Sequence, residues 1–188
     1  WMRIISGNHK GKKILLPKNK LTRPLKDLTK ESIFNIIKHS KLLDINLENS
    51  NILDLFSGVG SFGLECLSRG SVSVTFLENY KEAVTVLRKN IDNLKQQNYS
   101  HIIQKDIFAE NTLKLLNNKF EIIFMDPPYK EKKLTDLLNA IIELRLLKDN
   151  GVIIIHRHKK EDDEFPERFN IIMKKNYGIS KIIFGSYS

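Results

Sequence analysis

Hydrophobic positions along the chain follow two periods, one typical of strands and one typical of helices. Short apolar runs predict buried strands at 51–55, 72–77, 101–104, 121–125 and 151–156. Apolar positions three and four residues apart predict helices at 27–40, 61–68, 80–96 and 132–146, with a short helix ending at Leu116. Strands that alternate with helices predict an α/β fold, in which helices cover both faces of a parallel sheet.

The two ends of the chain have a different pattern. Residues 3–7 and 12–16 read as short strands joined by Asn8-His9-Lys10-Gly11, which has the composition of a hairpin turn. Residues 169–174 and 181–184 flank Asn176-Tyr177-Gly178 in the same way. We therefore expect an N-terminal β-hairpin and a closing hairpin whose last strand is antiparallel to the sheet.

Composition limits the class of protein. A chain of 188 residues that is 41% hydrophobic can bury one sizeable core. No apolar run approaches the ~20 residues of a membrane-spanning helix. A single cysteine, Cys66, excludes an internal disulfide and a cysteine zinc site, and its apolar neighbours predict that it is buried. We expect a soluble cytoplasmic protein.

The positive charge lies at the N-terminus. Residues 1–41 contain 11 lysines and arginines and only two acids, and the remaining residues contain 20 of each sign. The formal net charge of +9 therefore comes from the first 41 residues. A neutral body with a basic arm is typical of a protein that binds a polyanion, and we favour nucleic acid over a merely solubilising lysine-rich face.

The sequence Asp126-Pro127-Pro128-Tyr129, called the DPPY loop below, directly follows the strand at 121–125. Each proline fixes φ and lacks a backbone donor, so neither a strand nor a helix can continue through it. The resulting stiff loop offers a carboxylate, carbonyl oxygens and a ring, which suit a flat, amino-bearing heterocycle. It contains no nucleophile for hydrolysis. The tetrapeptide alone leaves guanine, adenine, cytosine and a glutamine side chain open.

A glycine-rich turn follows the strand at 51–55, in the order Asp54-x-Phe56-Ser57-Gly58-x-Gly60. Gly58 and Gly60 permit a tight turn and close approach to a ligand, and Gly63 lies where a side chain would separate helix from strand. The glycine spacing also matches the dinucleotide fingerprint. Asp54 argues against a dinucleotide, because a carboxylate would repel a pyrophosphate and attract an amino-bearing ligand such as S-adenosylmethionine.

Two further acids follow predicted strands. Glu78 lies 18 residues beyond Gly60, about the distance at which an acid reaches ribose hydroxyls in such folds. Asp106 could accept a hydrogen bond from an adenine amine, with Ile107 or Phe108 against the ring, or it could cap the next helix. With Asp54 and Asp126, these acids end four successive strands at the edge where open α/β sheets bind ligands.

These motifs together resemble the S-adenosylmethionine-dependent amino-methyltransferases. Segments at 3–12, 22–35 and 63–70 make the chain similar, over nearly its whole length, to the RsmD-type 16S ribosomal RNA (guanine-N2)-methyltransferases. The chain departs from that pattern at Ser6, where the resemblance implies glycine, and at His156-Arg157-His158, where it implies an acid.

The resemblance implies a Rossmann-like class I methyltransferase fold, with a mostly parallel seven-stranded sheet, a C-terminal antiparallel hairpin and a small N-terminal β-hairpin. It implies a basic hairpin or arm at 1–24 and an S-adenosylmethionine-dependent methyltransferase domain at 25–188. The implied reaction is methylation of the exocyclic N2 amine of a specific guanine in 16S ribosomal RNA. The partner would be that RNA or a small-subunit assembly intermediate, and we expect a monomer. Alternatives are amino-methylation of DNA adenine or of a protein side-chain amide, and a non-catalytic ribosome-assembly factor.

The candidate site residues form three groups. The catalytic candidates are Asp126, Pro127, Pro128 and Tyr129. The candidates for binding S-adenosylmethionine are Asp54, Phe56, Ser57, Gly58, Gly60, Glu78, Asn79, Asp106 and Ile107. The RNA-binding candidates are Arg3, Lys10, Lys12, Lys13, Lys18, Lys20 and Arg23, of which Arg23 is implied by resemblance to lie near the cofactor carboxylate or the target pocket. We expect no metal, because His156 and His158 share a strand face without an evident third ligand, and we assign them no role.

Overall fold

A seven-stranded mixed sheet forms the centre of the protein, in a computed structural model that describes residues 2–19 and 25–187. The strands are β1 (Met2–Arg3), β2 (Lys13–Ile14), β3 (Asn51–Leu55), β4 (Ser73–Leu77), β5 (Ser100–Ile103), β6 (Phe120–Met125), β7 (Leu147–His158), β8 (Phe169–Tyr177) and β9 (Ser180–Tyr187). The α-helices are α1 (Asp27–His39), α2 (Ser61–Ser68), α3 (Lys81–Asn93) and α4 (Leu134–Glu143). Short 3-10 helices occupy Leu47–Asn49, Gln97–Tyr99 and Leu113–Leu115.

The strand order in the large sheet is β5-β4-β3-β6-β7-β9-β8. The first five strands in this order are parallel, whereas β9 is antiparallel to both β7 and β8. This arrangement confirms the predicted α/β fold and the closing antiparallel hairpin. The strand order reverses between β3 and β6, at the centre of the sheet, where such folds form a ligand crevice.

Alternation along the strands divides the core into two layers. Ile122, Phe124 and Ile154 pack on one face, and Ile123 and Met125 pack on the other. The first layer is covered by α1, α2, α3 and the N-terminal hairpin, and the second by α4 and residues 107–116. Asp54 on β3 and Phe124 on β6 are register partners, and the side chains of such partners point to the same face of the sheet. Asp54 therefore lies on the same face as Phe124, at the centre of the sheet.

Helix α2 is buried along its whole length, because the sheet covers one side and the N-terminal hairpin covers the other. The Glu65 carboxylate on α2 accepts hydrogen bonds from the backbone N–H groups of Ile5 and Ser6, at 2.8 and 3.0 Å. Ile4 and Ile14 of the hairpin are buried in the core. The hairpin is therefore packed as part of the body.

Some predicted element bounds were wrong, each for a local reason. The hairpin strands are only two residues long, because the N–H groups that would extend them donate to Glu65 and, at Leu15, to the Asn90 side chain. The helix predicted to end at Leu116 is a series of turns with one 3-10 helix. There Asn111 has a φ of 69°, which interrupts any helix. The C-terminal turn lies at Gly178 and Ile179, since Tyr177 pairs with Ser180.

Within the described ranges 2–19 and 25–187, none of the helices is both long and apolar enough to span a membrane. Cys66 is a free cysteine, and it is buried, as its apolar neighbours predicted.

Candidate active site

The carboxyl ends of four adjacent strands place four acids along one edge of the sheet. In spatial order these are Asp106 after β5, Glu78 after β4, Asp54 near the end of β3 and Asp126 after β6. The predicted clustering of the acids at one edge is therefore confirmed. Glu78, Asp54 and Asp126 line one cavity of about 400 Å³, whereas Asp106 is exposed outside its lining.

The cavity brings the glycine turn and the DPPY loop together. Its lining consists of Leu25, Asp54, Phe56, Ser57, Gly58, Val59, Ser61, Phe62, Glu78, Tyr80, Phe124, Asp126, Pro127, Pro128 and Tyr129. The rings of Phe62 and Phe124 stack at a centroid distance of 3.9 Å and form an apolar wall. The carboxylates thus lie beside a flat hydrophobic surface, an arrangement that suits a ligand with both amino and aromatic parts.

Left-handed backbone conformations shape the glycine turn. Gly58 and Gly60 have φ values of 55° and 92°, which glycine adopts without a steric penalty. Phe56 has a φ of 55°, which is rare and strained for an aromatic residue. A Cβ at Gly63 would lie 2.4 Å from the Phe76 ring, so the predicted need for close contact between helix and strand is confirmed.

Glu78 organises the turn as well as lining the cavity. Its carboxylate accepts hydrogen bonds from the N–H of Gly58 at 2.9 Å and from the N–H of Tyr80 at 2.8 Å. It therefore joins the ends of β3 and β4 directly. The sequence predicted only its reach toward a ligand, because a contact between separate loops leaves no local pattern.

Asp54 is almost completely buried at the centre of the site. Its Oδ2 accepts a hydrogen bond from the N–H of Gly63 at 3.1 Å. Burial raises the pKa of this carboxyl well above its usual value, and the nearby Asp126 and Glu78 carboxylates raise it further. A cationic group in the cavity would offset the cost of ionising Asp54, whereas an anionic ligand would increase it.

Asp126 is held by a histidine that the sequence analysis left without a role. His156 Nδ1 lies 2.7 Å from Asp126 Oδ1, and His156 Nε2 lies 2.9 Å from Ser180 Oγ. All three belong to the ends of neighbouring strands, β6, β7 and β9. These contacts give His156, to which the sequence alone assigned no role, a place in the hydrogen-bond network of Asp126.

A buried guanidinium fixes the far side of the DPPY loop. Arg157 is 1% exposed and donates to the carbonyl oxygens of Pro128 and Glu131, each at 3.1 Å. It also forms a bidentate pair with Asp163 at 2.8 and 3.0 Å. The ring of His158 meets that of Tyr129 edge-on at 5.2 Å. These contacts restrict a loop that already has little backbone freedom.

The remaining cofactor candidates lie at or beyond the edge of the cavity. Asp106 Oδ1 accepts from the N–H of Phe108 and so stabilises a turn. Ile107 is buried in the second core layer, and the ring of Phe108 lies 6.2 Å from that of Phe56. Asn79 is exposed beside Glu78, and Gly60 is buried behind the turn. Asp106 and Ile107 therefore lie outside the cavity lining, next to Phe108, whose ring is near the Phe56 ring of the lining.

The candidate RNA-binding residues that the structure describes lie on the surface. Arg3, Lys10, Lys12, Lys13 and Lys18 are all exposed, and Arg3 also pairs with Asp27 at 3.9 Å. Lys20 and Arg23 lie outside the described residues. The side chain of Asn19 donates to the Tyr80 hydroxyl at 2.7 Å, so the basic segment reaches the rim of the cavity.

A buried lysine links the hairpin to the cavity wall. Lys30 Nζ donates to the Arg3 carbonyl and to Ser61 Oγ, both at 3.0 Å, and lies 3.4 Å from Glu65. Burial lowers the pKa of Lys30, and the Glu65 carboxylate partly offsets this effect. Asn90 makes a second link, because its Nδ2 donates to the carbonyls of Leu15 and Val59.

Within 2–19 and 25–187, no group of three or more acids, histidines and cysteines is arranged to hold a metal ion. The polar side chains that line the cavity are carboxylates and hydroxyls, and the others are aromatic or aliphatic. The Ser57 hydroxyl oxygen is buried and has no hydrogen-bond partner among the described residues. Such an orphaned polar atom fits a site that completes its hydrogen bonds with a ligand.

The strand order, the glycine turn after β3 and the carboxylates at the sheet edge define a Rossmann-like class I methyltransferase fold, the class of its structural neighbours. A solved Escherichia coli protein, yhhF, superimposes with a TM-score of 0.78 at 24% identity, covering 99% of this chain and 97% of the other. This likeness establishes the shared fold.

Sequence comparison identifies the family. The family model described as conserved hypothetical protein 95 matches residues 2–186. The Bacillus subtilis protein YlbH is 35% identical over 96% of each chain. The ribosomal RNA small subunit methyltransferase D of Buchnera aphidicola is 32% identical over 99% of this chain and 91% of its own. The chain belongs to this family, the RsmD family.

Proposed function

We propose that the protein transfers a methyl group from S-adenosylmethionine to the exocyclic N2 amine of a guanine in 16S ribosomal RNA. The observation that carries the proposal is the shared cavity, in which the glycine turn and the DPPY loop face each other. One side suits a methyl donor and the other an amine acceptor. Such proximity converts a bimolecular transfer into a step within one complex.

The charge and shape of the cavity support S-adenosylmethionine as the cofactor. Asp54 is buried among carboxylates, so it favours a ligand with positive charge. Glu78 has lone pairs beyond those used by Gly58 and Tyr80 and would accept from ribose hydroxyls. Phe56 offers a ring surface to a base. Bound here, S-adenosylmethionine would supply an already activated sulfonium methyl group.

The DPPY loop supplies hydrogen-bond acceptors that would make the target amine a better nucleophile. The lone pair of a guanine amine is delocalised into the ring and is a poor nucleophile. Hydrogen bonds from its N–H groups to Asp126 and the Pro127 carbonyl would favour a pyramidal nitrogen. The Pro128 carbonyl is already engaged by Arg157, so we assign the role to Pro127. These acceptors strengthen as the nitrogen becomes positive, which lowers the barrier to transfer.

Tyr129 would stack on the target base, a contact worth about 1–3 kcal/mol for a base on an aromatic ring. A base reaches such a pocket only if it is unpaired or leaves its stack. The product amine would lose its proton to water, so Asp126 serves as an acceptor and need not be a strong base. The pocket therefore requires an accessible, flipped-out nucleotide.

The exposed lysines of the hairpin and the names of relatives support ribosomal RNA as the substrate class. The Buchnera aphidicola relative is named as a small subunit ribosomal RNA methyltransferase. Lys10, Lys12 and Lys13 would contact phosphates, which fixes the register of the RNA without reading its sequence. We propose 16S ribosomal RNA, free or in a small-subunit assembly intermediate, as the partner of a monomeric enzyme.

Tritium transfer from labelled S-adenosylmethionine tests the proposal. Naked 16S ribosomal RNA, isolated small subunits and DNA serve as parallel substrates, and digestion of the product identifies the modified base. We expect N2-methylguanine from one of the RNA substrates. Labelled adenine in DNA, or no transfer to any substrate, would contradict it.

Asp126→Ala isolates the role of the DPPY loop in this assay. We expect turnover to be lost, because the amine loses its charged acceptor, while the affinity for S-adenosylmethionine changes little. Asp44→Ala, which removes an exposed acid outside the cavity lining, is the control. Methylation by Asp126→Ala at the control rate would refute the role of Asp126.

A further inference from the structure

The end of β7 runs beside the DPPY loop because β7 is longer than its neighbour β6. The two strands are parallel, and Met125 pairs with Ile155 at the last ladder position. Pro127 and Pro128 cannot continue the ladder, so β6 stops there. β7 continues to His158 because β9 pairs with it on the other side. The next position on β7, His156, therefore lies beside Asp126.

Three successive residues of β7 each contact a different part of the loop. His156 reaches Asp126, Arg157 reaches the Pro128 carbonyl, and His158 reaches the ring of Tyr129. Side chains alternate along a strand, so the two histidines approach from one face and the arginine from the other. The loop is thus fixed from both sides by one strand end.

The hydrogen bonds of His156 determine which ring nitrogen carries its proton. An Asp126 carboxylate can only accept, so the proton lies on Nδ1 and Nδ1 donates. In a neutral imidazole, Nε2 then accepts, and the Ser180 hydroxyl can donate to it at 2.9 Å. Ser180 is therefore compatible with the tautomer that the Asp126 carboxylate requires.

We propose that His156 is a positioning residue for Asp126: its Nδ1–H donates to the carboxylate, and the Ser180 hydroxyl satisfies its Nε2. This inference rests on the proposed methyl transfer and deepens it. The terminal torsion of an aspartate is broad, so an isolated carboxylate would rotate freely. The bond from Nδ1 fixes the carboxylate plane, and with it the direction in which Asp126 accepts from the target amine. A misaligned acceptor would stabilise the positive nitrogen less at the transition state.

Two amide substitutions separate this role from simple packing. In His156→Asn the amide nitrogen takes the place of Nδ1, whereas in His156→Gln it takes the place of Nε2. We expect kcat to stay within about threefold of wild type in His156→Asn and to fall about 10- to 100-fold in His156→Gln. The KM for S-adenosylmethionine should stay within about twofold in both, since uniform binding is not affected. Equal losses of kcat in the two variants, or a change confined to KM, would overturn the inference.

A spectroscopic measurement on wild-type protein decides the tautomer without any activity assay. The ¹⁵N shifts of labelled histidine distinguish Nδ1–H from Nε2–H, and the spectrum of His156→Asn assigns the His156 signals. We expect Nδ1–H in wild type and an increased Nε2–H population in Asp126→Ala, which lacks the carboxylate that requires Nδ1–H. A wild-type Nε2–H tautomer would overturn the inference even in an active enzyme. An Nδ1–H tautomer in a protein that methylates no ribosomal RNA would support the positioning geometry and contradict the proposed function instead.

Discussion

At the scale of single residues, the site is defined by carboxylates that repel one another. Asp54, Glu78 and Asp126 line one cavity, and only Asp54 is almost fully buried. The backbone N–H of Gly63 offsets part of the cost of its burial. The remaining cost of ionising Asp54 is not offset in the protein without ligand, and a cationic ligand would reduce it. Ligand charge and the ionisation of Asp54 are therefore coupled.

The raised pKa of Asp54 predicts how binding depends on pH. A raised pKa means that the folded protein retains a proton that the unfolded chain releases. The contribution of Asp54 to stability thus falls as pH rises from its usual value of 3.8 through the raised value. A cationic ligand favours the ionised form, so we expect the affinity for S-adenosylmethionine to rise with pH over that window, with release of a proton. Titration calorimetry in buffers of different ionisation enthalpy measures both effects.

Asp54→Asn is the matched control for this pH dependence. The variant keeps an oxygen that can accept from Gly63 and has no charge to ionise. We expect weaker binding without the pH dependence assigned to Asp54, and no loss of stability as pH rises through that window. An unchanged pH dependence in Asp54→Asn would show that another group is responsible.

At the scale of elements, close contact between α2 and the sheet positions the glycine turn. Gly63 faces Phe76 and Val74 of β4 with no space for a side chain. The same helix begins at Ser61, directly after Gly60. A shift of α2 away from β4 would therefore move the turn that lines the cavity.

Gly63→Ala tests this contact. Helix propensity alone would favour alanine by about 1 kcal/mol. The added methyl would overlap the Phe76 ring, and overpacking of this kind costs about 1–3 kcal/mol. We expect a net loss in the free energy of unfolding by denaturant and weaker binding of S-adenosylmethionine. Thr85→Ala, at an exposed position of α3, is a helix substitution without a core contact and should change the free energy of unfolding by less than about 1 kcal/mol. A Gly63→Ala variant at least as stable as wild type would exclude tight packing here.

Elements with a local signal were predictable, and contacts between distant segments were not. The bounds of β3 and α2 follow from an apolar run, a glycine turn and a helical period, and they agree with the structure. The edge position of the four acids was also predictable, because each acid follows a strand that was predicted to be parallel to the others. The bond between His156 and Asp126 joins residues 30 apart, and that between Glu65 and Ile5 joins residues 60 apart. No local period encodes such pairs, because they depend on which strands become neighbours.

At the scale of the whole molecule, the described N-terminal hairpin belongs to the folded body. Ile4 and Ile14 are buried, Glu65 binds the backbone of the hairpin, and Lys30 joins it to Ser61 at the cavity. The exposed lysines are therefore held at fixed positions relative to the active site. A phosphate backbone bound along them would have a defined orientation with respect to the DPPY loop. Removal of the whole hairpin would expose the core, so charge substitutions are the cleaner probe.

The double variant Lys10→Ala, Lys12→Ala tests this electrostatic role. Each lost phosphate contact reduces the slope of log affinity against log salt by about 0.7–0.9, so we expect a reduction of about 1.5 for two contacts. Affinity for 16S ribosomal RNA should fall most at low salt, while thermal unfolding and S-adenosylmethionine binding stay unchanged, because both side chains are exposed. Lys114→Ala, Lys119→Ala removes the same charge from exposed positions before β6 and should leave the slope near that of wild type. Equal slopes in the two double variants would mean that net charge, and not the hairpin surface, attracts the RNA.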